Sequence, residues 1–217
     1  MKEDIIIVGA GGMGKDLLWT INDCNKEFEK YNVVGFLDDN YTKQGDLIHK
    51  IPILGKLDWI KKNHKKKIKY CIAIGDSDIR EKFVLKMKKY KIKFETIIHP
   101  SVIKTNSIKV GTGTIIQAGC IIPLDVKIGN HVIININTTL GHDCKIENYV
   151  TISPGVNING KNTIGTNTLI GSGVSTIENT KIGKHSTIGI GSIVSEDVPN
   201  YCTYLGNPGR VIKKIKN

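Results

Sequence analysis

The chain has 217 residues, 40% apolar, 24% charged and 6% aromatic, with a net charge of +11. This is a soluble globular balance, long enough for one or two domains and poor in aromatic side chains for a conventional core. It has no run of about 18 apolar residues that could span a membrane, and its five scattered cysteines, without CxxC spacing, read as reduced thiols of a cytoplasmic protein.

The opening MKEDIIIVGAGG does not read as a signal peptide, because acidic residues precede a short apolar run and glycines follow it. IIIVG (5–9) has the continuous apolar pattern of a buried strand. Gly9, Gly11 and Gly14 then fit G-x-G-x-x-G, ahead of an amphipathic helix expected over 15–27 with Leu17, Leu18, Ile21 and Cys24 on one face. Glycines at that place let the backbone approach a diphosphate, which the helix N-terminus attracts. A second strand, VVGFL (33–37), ends in Asp38 and Asp39, placed for a ribose hydroxyl. Taken alone, the motif is an NAD fingerprint or another nucleotide site; a merely tight βα turn is the bland alternative. KLDWIKKNHKK (56–66) reads as a helix, KYCIAIG (69–75) as a third strand and SDIREKFVLKMKKY (77–90) as a further helix. Strands alternating with helices imply a short parallel, Rossmann-like sheet. The lysine run KKNHKKK (61–67) reads as a solvated helix end and not as a nucleic-acid site, because no aromatic residues interleave it. A basic chain does favour polyphosphate ligands.

Near residue 97 the period changes, which sets the expected domains at 1–97 and 98–217. From Val110 to Val194, fourteen of the fifteen residues met at steps of six are aliphatic, Thr176 being the exception. Four places after each stands a small or β-branched residue such as Thr114, Cys120 or Val126, with Asn162 out of pattern. The register extends back to Ile98, with Lys104 out of pattern. Such a period means short strands and tight corners, three strands closing one 18-residue coil of a triangular prism that buries its aliphatic row against the next coil. The period does not give the hand of the coil.

His142 and Asp143 interrupt this repeat in LGHDCKIENYV (140–150). His142 lies two places after the inward Leu140, so it projects near a corner, and Gly160 stands one coil further on. Coils stack about 4.8 Å apart, which sets the imidazole over a backbone amide with no side chain in the way. Acyl transfer needs that pairing: a base for the acceptor's proton and an N–H for the oxyanion. Asp143 can orient the ring and stabilise the imidazolium. A surface histidine in a turn is the alternative. Cys144 occupies an inward small-residue place and reads as structural, which favours direct transfer over an acyl-enzyme. His131 and His185 share an azimuth but lie three coils apart, roughly 14 Å, too far for one zinc ion; no metal is expected.

Together GAGGMGK, VVGFLDDN, CIAIGDSDIR, IIHPSV, GHDCKIENYVTISPGV and YLGNPGRVIKK resemble, over nearly the whole chain, the sialic acid and amino-sugar O- or N-acyltransferases. These are bacterial enzymes of surface-glycan synthesis that move acetyl from acetyl-CoA to a sugar. The resemblance implies a left-handed β-helix of hexapeptide repeats that binds acetyl-CoA between neighbouring subunits of a homotrimer, preceded by an α/β domain that holds a nucleotide-sugar acceptor and not NAD. It puts the catalytic histidine on His142, its acidic partner on Asp143 and the asparagine of the family motif on Asn135. Acetyl-CoA and the oxyanion are expected at Gly160 and Thr151, and the acceptor at Gly9, Gly11, Gly12, Met13, Gly14, Asp38, Asp39 and Gly75. Met13 stands where the family commonly has histidine in this loop, and Thr151 where some members have a histidine that contacts the coenzyme. The implied reaction is acetyl transfer to the amine of a UDP- or dTDP-linked 4-amino-sugar, with O-acetylation of sialic acid as the near alternative. An NAD-binding oxidoreductase or sensor and a non-enzymatic scaffold are the alternatives from other classes. Nucleic-acid, membrane and metal partners are not expected.

Overall fold

The computed structural model describes residues 2–40, 45–64 and 67–214. The chain divides into two compact units, Met1–Pro100 and Ser101–Asn217.

The first unit is built around β1 (Glu3–Val8), which pairs in parallel with β2 (Tyr31–Leu37) and β5 (Lys69–Ile72). The sheet continues outward to β4 (Ile51–Gly55) beside β2 and to β6 (Lys93–Phe94) beside β5, both parallel. A short β3 (Leu47–Ile48) turns back antiparallel onto β4. Ile5, Ile6, Ile7 and Val8 are all buried, as expected of a parallel strand covered on both faces. Helix α1 (Gly12–Phe28) buries Leu17, Leu18 and Ile21. It starts three residues before the expected Lys15, because Gly11 takes the extended conformation of an N-cap. Helix α2 covers only Trp59–Asn63 of the expected 56–66, and Lys65 and Lys66 of the lysine run lie outside the described residues. Helix α3 (Ser77–Met87) begins where Asp76 accepts a hydrogen bond from the Ile79 amide at 2.9 Å, and ends in a 3-10 turn over Lys88–Tyr90. Ile6, Val8, Leu37, Ile60, Tyr70, Ile72, Phe83 and Met87 pack as one core cluster.

The second unit is a left-handed parallel β-helix of two-residue strands. Strands eighteen residues apart stack in register on each face, as Lys127 on Lys145 on Thr163 and Thr139 on Asn157. The inward aliphatic row is closed to solvent, with Ile116, Ile122, Ile134, Ile152 and Ile170 all at 0% exposure. The small-residue row has a second use. Thr114, Thr138 and Thr168 donate their hydroxyls to carbonyls of the next coil, those of Gly129, Ser153 and Gly183, at 2.8, 3.2 and 2.8 Å. Threonine and cysteine fit there because they are small and can satisfy a buried carbonyl.

The corners show a third periodic position. Every sixth residue from Gly113 to Gly191 has φ between 51° and 73°. Glycine, asparagine or aspartate fills most of these places, since they tolerate the left-handed region best. Asp143 is one of them, at φ 59°. His131 and His185 are two more, and each stacks on the corner residue one coil on, His131 on Tyr149 at 5.5 Å and His185 on Tyr201 at 5.1 Å. The prism closes on an antiparallel hairpin, Cys202–Gly206 with Gly209–Lys214, where only a tail was expected. Its first strand continues one face by pairing in parallel with Thr187–Ile188. Among the described residues no helix is long and apolar enough to cross a membrane.

Candidate active site

The glycine loop leaves β1 at its C-terminal end, and its glycines divide into two kinds. Gly9 has φ +101°, and a Cβ there would come 2.6 Å from the Ala73 carbonyl oxygen. A Cβ on Gly14 would run into the Gly9 carbonyl oxygen. These two let α1 and β5 close on the loop. Gly11 and Gly12 are exposed, and a Cβ on either would meet nothing within 4 Å. They line open space at the helix start, where the N-cap Gly11 offers no side chain to the first-turn amides; Met13 follows half-buried. The carboxylate of Asp38 accepts from the Ala10 amide and from the Asn40 amide, each at 2.8 Å. Asp39 accepts from the Leu57 amide at 2.9 Å. Both acids therefore tie loops together, Asp38 by fixing the glycine loop itself. Gly75 is open in the same way as Gly11. Its carbonyl and that of Ile74 accept from Nη1 of the fully buried Arg80, at 3.1 and 2.5 Å. The expected acceptor residues thus gather at the C-terminal ends of β1, β2 and β5, the usual ligand edge of such a sheet.

In the β-helix, His142, Asp143 and Gly160 come together. His142 Nδ1 lies 2.8 Å from Asp143 Oδ2, with both side chains about half exposed, at 53% and 54%. An ionised carboxylate only accepts, so in a neutral imidazole this contact selects the tautomer with the proton on Nδ1 and the lone pair on Nε2. The ring lies directly over Gly160: a Cβ built there would be 2.8 Å from Nε2 and 2.9 Å from Cε1. Gly141 is stacked as closely on the Gly160 amide. The backbones are held in step by Lys161, whose amide donates to the His142 carbonyl at 2.8 Å. Other corner amides are capped by side chains of the next coil, Thr112 by Asn130, Asn130 by Asn148 and Lys184 by Asn200. Among the described residues no group accepts from the amide of Gly160. Burial pushes the Cys144 thiol up, and its Sγ points inward to the Asn159 carbonyl at 3.1 Å. It is a buried thiol, unsuited to attack.

Asn135 and Thr151 stand elsewhere on the coil. Asn135 is buried, and its Nδ2 donates to the Ile152 carbonyl at 2.7 Å. Thr151 lies buried in a strand stacked between Ile133 and Leu169, on a different face from the His142 corner. Asn162 and Thr176, which read only as exceptions to the period, meet inside the prism next to Gly160, Nδ2 to Oγ1 at 2.9 Å. Coil arithmetic contained the signal: both are inward, and they flank the residue that faces His142. Among the described residues no three of His, Cys, Asp and Glu are placed to hold a metal ion.

Residues 4–87 match the family described as the PglD N-terminal domain, and residues 125–160 match the bacterial transferase hexapeptide family. The His142 corner and Gly160 fall inside the second match. No curated protein sequence matches the chain. Among solved structures, it is similar to a mutant of perosamine N-acetyltransferase from Caulobacter crescentus in complex with CoA and GDP-perosamine, at 24% identity and TM-score 0.90 over 97% of both chains. It is similar to the acetyltransferase domain of PglB from Neisseria gonorrhoeae, at 25% identity and TM-score 0.87 over 97% of this chain and 100% of that one. WeeI from Acinetobacter baumannii is 27% identical, with TM-score 0.85 over 97% of this chain and 100% of its own. The chain thus resembles hexapeptide-repeat sugar acetyltransferases along its length.

Proposed function

We propose that the chain is an acetyl-CoA-dependent N-acetyltransferase that acts on the amine of a nucleotide-linked amino sugar. The observation that carries this is the His142 corner: an imidazole fixed by Asp143, lying over a glycine whose amide has no acceptor among the described residues. Nε2 takes a proton from the acceptor amine as its nitrogen attacks the thioester carbonyl. The Gly160 N–H donates to the oxygen on which charge develops. As the carbon–sulfur bond breaks, the imidazolium returns the proton to the leaving thiolate. Asp143 stabilises the imidazolium in between. Transfer is direct, since Cys144 is turned inward and its thiol is raised. The glycine loop with Asp38, Asp39 and Gly75 is the acceptor's nucleotide site in this reading.

The similar proteins support the substrate class. The Caulobacter enzyme is solved with CoA and GDP-perosamine, and the gonococcal domain with acetyl coenzyme A. The acceptor is a UDP-, dTDP- or GDP-linked 4-amino-sugar. A homotrimer working in the cytoplasm completes the reading, in keeping with five free cysteines among the described residues.

The test is thiol release from acetyl-CoA with these three classes of amino sugar, wild type against His142→Ala. The expected loss in kcat is about 10²–10⁴-fold, the range of a positioned general base, with both KM values kept. The melting temperature should hold, because the side chain is half exposed. An alanine variant with wild-type turnover would place the chemistry elsewhere.

A further inference from the structure

Asn162 and Thr176 depart from the hexad pattern, and they are partners. Both are buried, at 0% and 4% exposure. Asn162 Nδ2 shares its two hydrogens among three acceptors, Thr176 Oγ1 and the carbonyls of Asn159 and Ile177, the last two at 2.6 and 2.8 Å. Asn162 Oδ1 accepts from the Thr180 amide at 2.8 Å, and Thr176 Oγ1 accepts from the Asn159 amide at 3.0 Å. Asn159 is therefore gripped from inside at both its N–H and its carbonyl, and the carbonyl also receives Cys144 Sγ at 3.1 Å. The coil as such does not need this. Cys144 is the coil's ordinary donor at this carbonyl, as Thr114 and Thr168 are at those of Gly129 and Gly183; Asn162 adds a second, and an aliphatic residue fills the place of Thr176 at the other fourteen steps from Val110 to Val194.

Peptide geometry gives the cluster a use. The Asn159 carbonyl and the Gly160 N–H belong to one planar trans peptide group and point in opposite directions. Two donors hold the carbonyl toward the prism interior, so the N–H is turned outward, where His142 lies over Gly160. Hydrogen bonds accepted at the carbonyl also polarise the amide and strengthen it as a donor. We infer that the Asn162–Thr176 pair is a positioning device that aims and strengthens the Gly160 N–H as the oxyanion donor. The inference rests on the acyl-transfer reading above. Neither side chain touches the reacting atoms: Asn162 acts through the Asn159–Gly160 peptide by its bond to the Asn159 carbonyl, and Thr176 acts one step further back, by holding Asn162 Nδ2 and the N–H of the preceding peptide.

The double variant Asn162→Thr/Thr176→Ile restores the repeat's ordinary residues. Replacing both partners of a buried pair by fitting groups is close to neutral for stability, so the melting temperature should hold or rise. The kcat should fall about tenfold or more, part of the 10²–10³ that one oxyanion donor supplies. KM for acetyl-CoA and the midpoint of the pH–rate profile should stay, because the base is untouched. Wild-type kcat in the folded double variant overturns the inference. Should that variant not fold, Thr176→Val and Thr176→Ser replace it: serine keeps the hydroxyl and should retain the rate, valine should lose it, and valine at the wild-type rate overturns the inference. His142→Ala in the same assay separates the two levels. If it keeps turnover, the acyl-transfer reading of this corner falls. If it is inactive while the double variant is fully active, only the positioning role falls. A readout free of activity is the Gly160 amide proton in protein labelled with ¹⁵N-glycine. Its resonance should move in Thr176→Val and stay in Thr176→Ser, and an unmoved resonance in valine also counts against the device.

Discussion

The glycine loop of the α/β unit and the His142 corner of the β-helix both bare backbone amides, and they do so in opposite ways. In the loop, Gly9, Gly11, Gly12 and Gly14 are neighbours in the chain: two are compelled by close packing and two are left open. In the prism, Gly160 is one coil away from His142, in a lattice whose corners recur every six residues from Gly113 to Gly191. A loop site therefore shows itself as a local motif. A repeat site shows itself as departures from the pattern, eighteen residues apart.

The sharpest way to break that contrast is Gly160→Ala. The added methyl would sit 2.8 Å from His142 Nε2, so the ring must swing away. Gly160 has no positive φ, so alanine leaves the backbone unstrained and the melting temperature should hold. We expect kcat to fall about 10²-fold, the scale for displacing a catalytic group by an ångström. Steady-state kinetics beside a thermal scan checks both, and an unchanged kcat would mean the stacking of His142 on Gly160 has no part in turnover.

Asp143→Asn sharpens the same corner with a smaller effect. Asparagine tolerates the left-handed backbone as aspartate does, so the fold should be kept. It no longer enforces the proton on Nδ1. Because the pair is half exposed, water screens part of the loss, and we expect about tenfold in kcat, ~1.4 kcal/mol of transition-state stabilisation. Aspartate's preference for such corners is a structural reason for Asp143 by itself. An asparagine variant with full activity would leave that as its only role.

The loop half of the comparison is tested by Asp38→Ala. It frees the Ala10 amide and should loosen the glycine loop, raising the acceptor's KM about tenfold, within the worth of a hydrogen bond to a charged group. The acetyl-CoA KM and kcat should not change. A variant that lost coenzyme affinity and kept acceptor affinity would reverse the assignment of the two units.

What the chain revealed by inspection follows the same divide. The prism was legible from Val110 onward because its aliphatic row is wholly inward and any other residue there would be exposed to the core. The corner position went unread, although glycine, asparagine or aspartate holds most of its places, because His131, Tyr149, Lys161 and His185 interrupt it. The β3–β4 hairpin was missed for a similar reason. Its two-residue turn, His49–Lys50, has φ of 47° and 71°, a conformation usually announced by Asn-Gly. The closing hairpin at 202–214 lies beyond the period and left no periodic signal. At the site, His142, Asp143 and Gly160 could be found by counting coils, whereas the grip of Asn162 and Thr176 on Asn159 needs side-chain geometry.

The smallest effect on turnover is expected at the opposite edge of the sheet, from Glu95→Gln. Glu95 lies near the N-terminal ends of β1, β2 and β5, away from the glycine loop. Its carboxylate accepts from Lys30 at 3.2 Å and Tyr31 at 3.0 Å and is paired with Lys69 at 2.7 Å. Burial works to raise the Glu95 carboxyl, but the hydrogen bonds from Lys69, Lys30 and Tyr31 outweigh it and hold it below its ordinary value of 4.5. A carboxyl lowered in the folded state stabilises above its unfolded pKa, and that contribution is lost as pH falls through the folded value. Glu95→Gln should therefore lower the stability of the α/β unit at pH 7 by about 1–3 kcal/mol, and the gap to wild type should narrow as pH drops below about 4.5. Both tryptophans, Trp19 and Trp59, lie in this unit, so fluorescence during denaturant unfolding reports on it without signal from the prism. Acetyl transfer at the His142 corner should proceed at the wild-type rate. A gap that widened toward acid would reverse the sign of the linkage, and a large fall in kcat would tie this edge of the sheet to the chemistry of the prism.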